Sequence, residues 1–200
     1  MTFLFDIGNV LLKLHFERFH EAVFGASDAP LPPEFIAVKD SYESGALDDH
    51  EFIRRSLETV PTPLSPESFT SAWQDIFSAN DPMWSVVDHL KASGHRLVLF
   101  SNTNNLHAEA FLKAFPGFSH FNHHHFSHQI GAMKPDPAFY HLAIDTYGLN
   151  PSDTLYLDDL AENIDTGRNL GFHSWQYDFN DHKACLGWLT SHGITLPDSH

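Results

Sequence analysis

The sequence predicts an α/β fold: a Rossmann-like parallel sheet flanked by helices, with a helical bundle inserted after its first strand. Three observations carry this expectation. Beyond residue 80, apolar strands alternate with helical stretches, the pattern of a parallel sheet covered on both faces. From Phe16 to about Phe77 the period is helical, broken by proline clusters. Distinctive polar groups fall at the ends of the predicted strands, where open α/β sheets bind ligands.

In chain order, Phe3–Phe5 is a short apolar strand leading into Asp6. DAPLPPEF (Asp28–Phe35) and PTPLSPESF (Pro61–Phe69) are connectors, each with proline in or near the first turn of the helix it opens. Between them, Ala46-Leu47-Asp48-Asp49 leads into an amphipathic helix. Residues 15–79 therefore read as a bundle of about four helices. Asp81 caps, and Pro82 starts, a helix ending at Gly94. RLVLFSN is a buried strand, Leu106–Phe115 a helix and His124–Ser127 a short strand. Asp136-Pro137 opens a helix closed by Gly148. Thr154–Leu157 is a strand, Ala161–Leu170 a helix, Phe172–Gln176 a last strand and Asp181–His192 a final helix.

Composition narrows the function. The chain has 200 residues, 42% hydrophobic and 18% charged, enough for one buried core with an insert. Twenty-six acids against 11 bases give a formal net charge of −15. That balance excludes nucleic acid and anionic membranes as partners. No apolar run has the length of a membrane span. The N-terminus does not read as a signal peptide, and Cys185 is the sole cysteine, so a cytoplasmic protein is expected. The oligomeric state expected is a monomer or weak homodimer. Sixteen histidines include the run His123-His124-His125, with His128 close by. The spacing is not that of a metal site, so a partly exposed strand titrating near neutral pH is expected.

Four groups lie at or just after strand ends: Asp6, Ser101-Asn102, Lys134 and Asp158-Asp159. Each has an ordinary explanation alone. Asp6 suits a turn, Ser101-Asn102 a helix cap, Lys134 a solvated loop, and the acidic pair a helix N-terminus. Together they form a device. Asp6 can attack phosphorus. Asp6, Asp159 and the carbonyl of Gly8 can hold Mg²⁺, with Asp158 touching the ion or standing one layer behind. Lys134 offsets the negative charge and meets phosphoryl oxygens. Ser101 and the Asn102 backbone N–H bind another phosphoryl oxygen.

The motifs FLFDIGNV, LVLFSNTN, GAMKPDP and LYLDDLAENI resemble those of the haloacid dehalogenase-like hydrolases over nearly the whole chain. The opening motif and SNTNNLH are most similar to the bacterial α-D-glucose-1-phosphate phosphatase group. The resemblance implies a HAD-like core at residues 1–14 and 80–200 and a helical cap at 15–79. It implies Asp6 and Lys134 as catalytic residues, and Gly8, Asn9, Ser101, Asn102, Thr103 and Lys134 around the phosphate. Asp6, the Gly8 carbonyl, Asp158 and Asp159 would form the Mg²⁺ site, with Asn163 ordering Asp159 or its loop. The substrate implied is a small phosphorylated metabolite, such as glucose 1-phosphate.

The sequence departs from the resemblance at Gly8, where most family phosphatases carry a second aspartate that protonates the leaving group. Such an acid contributes about 10²–10⁴ in rate. An anomeric oxygen leaves more easily than an ordinary alcohol and needs it less. Bound water or His107 is a candidate replacement, although His107 also suits a surface helix. The turn in SYESGALDDHEF (Ser41–Phe52) is positioned to dip into the site, and Lys39, Arg54 and Arg55 are candidate donors to substrate or solvated helix charges. Three other readings compete: a 2-haloacid dehalogenase, for which the acidic pair has no use; a phosphomutase, which needs an acid at position 8; and a non-catalytic binding module.

Overall fold

A computed structural model describes residues 1–61 and 63–196. Thr62, in the second proline connector, and the last four residues of the expected core lie outside the described residues. Five strands form one parallel sheet: β1 (Thr2–Phe5), β4 (Arg96–Ser101), β5 (His123–Phe126), β6 (Thr154–Asp158) and β7 (His173–Gln176), in the order β5-β4-β1-β6-β7. The chain builds outward from β1 on one side, then returns to build on the other. The reversal puts the crevice of the fold at the carboxyl end of β1.

Side-chain alternation along these strands separates two cores. Phe3, Phe5, Leu97, Leu99, Leu155 and Leu157 pack on one face with Val87, Phe111 and Leu189. Those three come from α5 (Asp81–Ala92), α6 (Asn105–Ala114) and α10 (His182–Ser191). Leu4, Val98, Phe100 and Tyr156 pack on the other face with Phe139, Tyr140 and Ile164. These belong to α8 (Pro137–Tyr147) and α9 (Ala161–Asn169). Continuous apolar strands are what a sheet buried on both sides requires.

Between β2 (Leu12–Leu14) and β3 (Phe77–Ala79) the chain forms α1 (Phe16–Phe24), α2 (Pro33–Glu43), α3 (Asp49–Thr59) and α4 (Pro66–Gln74). The sequence reading carries helical periodicity through to Phe77. Instead Phe77–Ala79 pairs antiparallel with Leu12–Leu14, so both crossings into the insert form one ribbon. Three residues are too short for a period, and pairing with a distant segment fixes their conformation. The insert has its own aromatic core of Phe19, Phe35, Phe52, Phe69 and Trp73, joined by Leu106 from α6.

Local signals mostly act as expected. Asp48 caps α3 by accepting from the Glu51 N–H at 2.8 Å. Gly148 ends α8 at φ 59°, where a side chain would be strained. At α5, however, the N-cap is Asn80 rather than Asp81. The Asn80 amide donates to the Val10 carbonyl at 2.6 Å and to the Tyr177 hydroxyl at 3.0 Å, tying the ribbon to the loop after β1.

The histidine run splits as a strand must, with His124 exposed and His125 fully buried. His125 stacks on Phe100 and shares a hydrogen bond with the Phe139 carbonyl at 2.9 Å. Burial holds all three ring pKa values below the ordinary histidine value, which corrects the expectation of a strand titrating near neutral pH.

Trp73 lies at the centre of the insert's core, 1% exposed and against four aromatic rings from three other elements of the bundle and its own helix. Trp73→Ala should lower unfolding free energy in urea by about 3–5 kcal/mol. Arg55→Ala, which removes an exposed helix ion pair, should change it by less than about 1 kcal/mol. A loss under about 1 kcal/mol for Trp73→Ala would contradict this packing.

Candidate active site

The three central strands carry the site. Phe5 is in register with Leu157 on β6 and Leu99 on β4, so Asp6 follows level with Asp158 and Phe100. The Asp6 N–H continues the ladder to the Leu157 carbonyl at 2.9 Å. Strands pack about 5 Å apart, so aspartates at equal height on adjacent strands converge. Asp6, Asp158 and Asp159 offer oxygens within 4.8 Å of one another, and they form the one such acidic or metal-ligating cluster among the described residues.

Lys134 is the counterweight. It is 4% exposed, and its ammonium donates to Asp6 Oδ1 at 2.9 Å, Asp158 Oδ2 at 2.5 Å and the Phe100 carbonyl at 2.8 Å. All three of its hydrogens are engaged. Despite burial, the two carboxylates hold its pKa above the ordinary lysine value. The Asn102 side chain fixes the backbone beneath it, donating to the Lys134 carbonyl at 2.9 Å and accepting from the Lys134 N–H at 2.8 Å.

Asp158 is fully buried and saturated. Oδ1 accepts from the Leu160 N–H and Asn163 Nδ2, both at 2.9 Å, and Oδ2 accepts from Lys134 and the Tyr156 hydroxyl at 2.6 Å. Its two oxygens already accept four hydrogen bonds, so they are less available to a metal than those of Asp6 and Asp159. Asn163 therefore orders Asp158, not Asp159. Asp159 is held instead by Asn9, whose amide donates to Oδ2 at 3.0 Å. Asn9 sits at φ 50°, a left-handed conformation that asparagine tolerates better than most residues. Its side chain thus faces the acidic pair, not an expected phosphate position.

The second-motif residues form the opposite wall. Ser101 and Thr103 are buried. The Thr103 N–H donates to Ser127 Oγ at 3.0 Å, and the Thr103 carbonyl accepts from the Ser127 hydroxyl. This leaves the threonine hydroxyl as its free donor. The Asn102 side chain is committed to Lys134, which leaves its backbone N–H for the role expected of it. Arg54 and Arg55 pair with Glu51 on the exposed face of α3 and do not line the site.

Electrostatically, the Asp158–Lys134 pair is neutral, leaving Asp6 and Asp159. Burial, with Asp158 and Asp159 adding to it, pushes Asp6 up to about 7 against the pull of Lys134. Burial and Asp158 raise Asp159 as well, opposed by Asn9. Two crowded carboxylates with unspent oxygens and no second cation are a donor set suited to a hard divalent ion. Asp6 and Asp159 fit Mg²⁺ on those grounds.

Residues 1–171 match the haloacid dehalogenase-like hydrolase family. The chain belongs to that family. It is 26% identical over 185 residues to the D-ribitol-5-phosphate phosphatase of Bacteroides thetaiotaomicron, spanning 86% of this chain and 89% of that protein. It is 26% identical to the enolase-phosphatase E1 of Thioalkalivibrio sulfidiphilus, over 86% of this chain and 82% of that one. The HAD family enzyme bt-2542 from Bacteroides thetaiotaomicron, solved with magnesium and inorganic phosphate, shares the fold with a TM-score of 0.78 at 21% identity, covering 92% of this chain and 98% of that chain. The L-2-haloacid dehalogenase of Xanthobacter autotrophicus shares it less closely, with a TM-score of 0.65 at 14% identity, over 86% and 75% of the two chains.

In this haloacid dehalogenase-like hydrolase a cavity of about 120 Å³ adjoins Gly8, walled by Ser101, Asn102, Thr103, Leu14 and Phe77. A Cβ on Gly8 would lie 2.9 Å from Leu14 Cδ1 and 3.9 Å from Asp6 Oδ2. Leu14 thus occupies the space a side chain at position 8 would enter. His107 is on the cavity wall but is not a surface residue. It is 6% exposed, stacked on Trp73, with one ring nitrogen 3.1 Å from the Asn104 amide and the other 2.9 Å from the Trp73 carbonyl. Burial lowers its pKa to about 3, so it is a neutral structural link and not a proton source.

Sequence reasoning missed Asn104, Tyr156 and Glu43. Asn104 caps α6 and accepts from both the His107 N–H and Trp73 Nε1. The turn at Gly45 was expected to dip into the site. It seats instead on the backbone of His128, and Glu43, at the end of the preceding helix, lines the cavity.

A carboxyl whose pKa is raised by folding contributes stability at low pH, and that contribution is lost as pH rises through its folded value. In EDTA, Asp6→Asn should therefore melt above the unsubstituted protein. The advantage should open between about pH 4 and about pH 7, then stay constant. An advantage that shrinks with rising pH would contradict the electrostatic account.

Proposed function

We propose that the protein is a Mg²⁺-dependent phosphatase of a small phosphorylated metabolite, acting through an aspartyl-phosphate on Asp6. The observation that carries this reading is the Asp6 carboxylate itself. Its Oδ1 is held by Lys134, while Oδ2 lies 3.9 Å from where a Cβ on Gly8 would sit, within an acidic cluster suited to one divalent cation. The phosphatase relatives and the magnesium- and phosphate-bound neighbour support the same chemistry.

In this reading Asp6, Asp159 and the Gly8 carbonyl hold Mg²⁺. When bound, the ion offsets the repulsion between carboxylate and phosphoryl group and keeps Asp6 ionised at neutral pH. Asp6 Oδ2 attacks phosphorus, while Lys134 orients the carboxylate through Oδ1 and balances charge. Asp158 acts through Lys134, held in place by Tyr156, Leu160 and Asn163. Ser101, the Asn102 backbone N–H and the Thr103 hydroxyl receive phosphoryl oxygens, so that catalysis rests on positioning and electrostatics. Residues 15–79 act as the cap that shuts the cavity from water. About 120 Å³ is the space of roughly four waters, which suits a small leaving group and not a phosphoprotein.

A sugar phosphate is the substrate class we favour, with glucose 1-phosphate as the specific proposal, because an anomeric oxygen leaves more easily than an alkyl one and depends less on a proton that position 8 does not supply. The enzyme would work in the cytoplasm as a monomer or weak homodimer. Hydrolysis of p-nitrophenyl phosphate should require Mg²⁺, stop in EDTA, and fall by about 10⁴ or more in Asp6→Asn. Halide release from 2-haloacids without metal would point instead to a dehalogenase. Across glucose 1-phosphate, glucose 6-phosphate and ribitol 5-phosphate, kcat/KM should favour the anomeric ester by about tenfold or more. Equal or reversed rates would remove the leaving-group argument.

A further inference from the structure

Cleaving an ester of an ordinary alcohol requires a proton for the departing oxygen. Around Asp6 no group is free to give one. The hydrogens of Lys134 are all engaged, Asp158 is saturated, Gly8 has no side chain, and Leu14 fills the space beside it. The donor must therefore come from the cavity wall, where the ionisable residues are His107 and Glu43. His107 has both nitrogens engaged within the protein. Glu43 has not. Its side chain is 16% exposed, Oε2 accepts from Lys39 at 2.9 Å, and Oε1 has no hydrogen-bond partner among the described residues.

We propose that Glu43, reaching the cavity from the C-terminal end of α2, is the acid–base residue of this site and takes the role for which position 8 has no side chain. The assignment rests on the phosphatase reading above. As the Asp6–phosphorus bond forms and the phosphorus–leaving-oxygen bond breaks, the Glu43 carboxyl gives its proton to that oxygen, and the alcohol departs. In the second step Glu43 takes a proton from water as its oxygen attacks phosphorus. The Asp6–phosphorus bond breaks, and inorganic phosphate, ionised Asp6 and protonated Glu43 result.

The surroundings suit the role. Burial raises the Glu43 pKa above the ordinary carboxylate value, Lys39 opposes it, and Asp40 adds to it. Neutral His107 and Gly8 line the same cavity, and a Cβ on Gly8 would lie 3.9 Å from Asp6 Oδ2. Because Glu43 is carried by the insert, the acid reaches the leaving group only when the insert is seated on the core. Proton transfer is thereby tied to closure.

The leaving group tests this. p-Nitrophenolate departs without a proton, whereas ribitol 5-phosphate and glucose 6-phosphate need one. With Mg²⁺ present, kcat/KM reads the steps up to the first release. Glu43→Gln should lower it by about 10² or more on the two alkyl phosphates. The loss on p-nitrophenyl phosphate should be at least about tenfold smaller. Equal losses on both classes would make Glu43 a structural residue, and no loss on either would make it a bystander; each overturns the proposal. Unsubstituted protein that hydrolyses p-nitrophenyl phosphate but neither alkyl ester would also overturn it. Failure on all three substrates would instead sink the phosphatase reading. Lys39→Met gives an independent readout. It removes the cation that favours ionised Glu43, so the basic limb of the alkyl-phosphate pH profile should move to higher pH; no movement, or movement to lower pH, would contradict the assignment.

Discussion

One buried ammonium organises this molecule's chemistry. Lys134 sits between two aspartates on adjacent strands, with a backbone carbonyl as its third acceptor. Two carboxylates at equal height on β1 and β6 would otherwise repel at close range in a poorly solvated crevice. Removing the lysine from such a buried set costs about 3–5 kcal/mol, because the carboxylates are left uncompensated. The surrounding residues read as supports for this one contact. Asn102 pins the lysine's backbone, Tyr156, Leu160 and Asn163 complete Asp158, and Asn9 draws Asp159 to the same edge. What remains unbalanced is Asp6 with Asp159, the pair that the proposed cation would neutralise.

The insert is joined to this centre by polar contacts as well as by packing. The Tyr42 hydroxyl donates to Asp49 at 2.6 Å and accepts from the Leu106 N–H at 3.0 Å, while Asn105 donates to the other Asp49 oxygen at 2.8 Å. Gln74 donates to the Leu106 carbonyl, and Trp73 stacks on His107. All of these meet the first turns of α6, which follows directly from the Ser101–Thr103 wall. The helix that leads away from the expected phosphate pocket is thus also the seat of the helical insert. A change in how the insert sits is felt at the pocket through α6 rather than through the ribbon alone.

Much of the fold was legible because the strands carry strong signals. RLVLFSN and TLYLD are apolar, short and bounded by turn residues, and the helices between them have proline or aspartate starts and glycine ends. The convergence of Asp6, Asp158 and Asp159 was legible for the same reason: they lie at or just past strand ends, and a parallel sheet collects such ends on one rim, where Lys134 arrives from the loop and short helix after β5. Phe77–Ala79 was not legible, since pairing across 62 intervening residues leaves no trace in three amino acids. Nor was the burial of His107, which depends on Trp73 from another element. Asn163 was read as ordering Asp159 or its loop because helix spacing does not reveal which of two neighbouring carboxylates turns inward. Glu43 was passed over for the turn beside it. A glutamate at a helix end reads as solvated, and only the folded arrangement shows that this one lines the cavity beside Gly8.

The central claim is that Asp6 becomes covalently phosphorylated. Rapid acid quench of the protein turning over p-nitrophenyl phosphate with Mg²⁺, followed by peptide mass mapping, tests it most directly. A phosphoryl group on the N-terminal peptide, localised to Asp6 and released by hydroxylamine as an acyl phosphate is, is the result this account predicts. Turnover with the label on another residue, or with no covalent label when phosphoryl transfer outpaces its release, would contradict it.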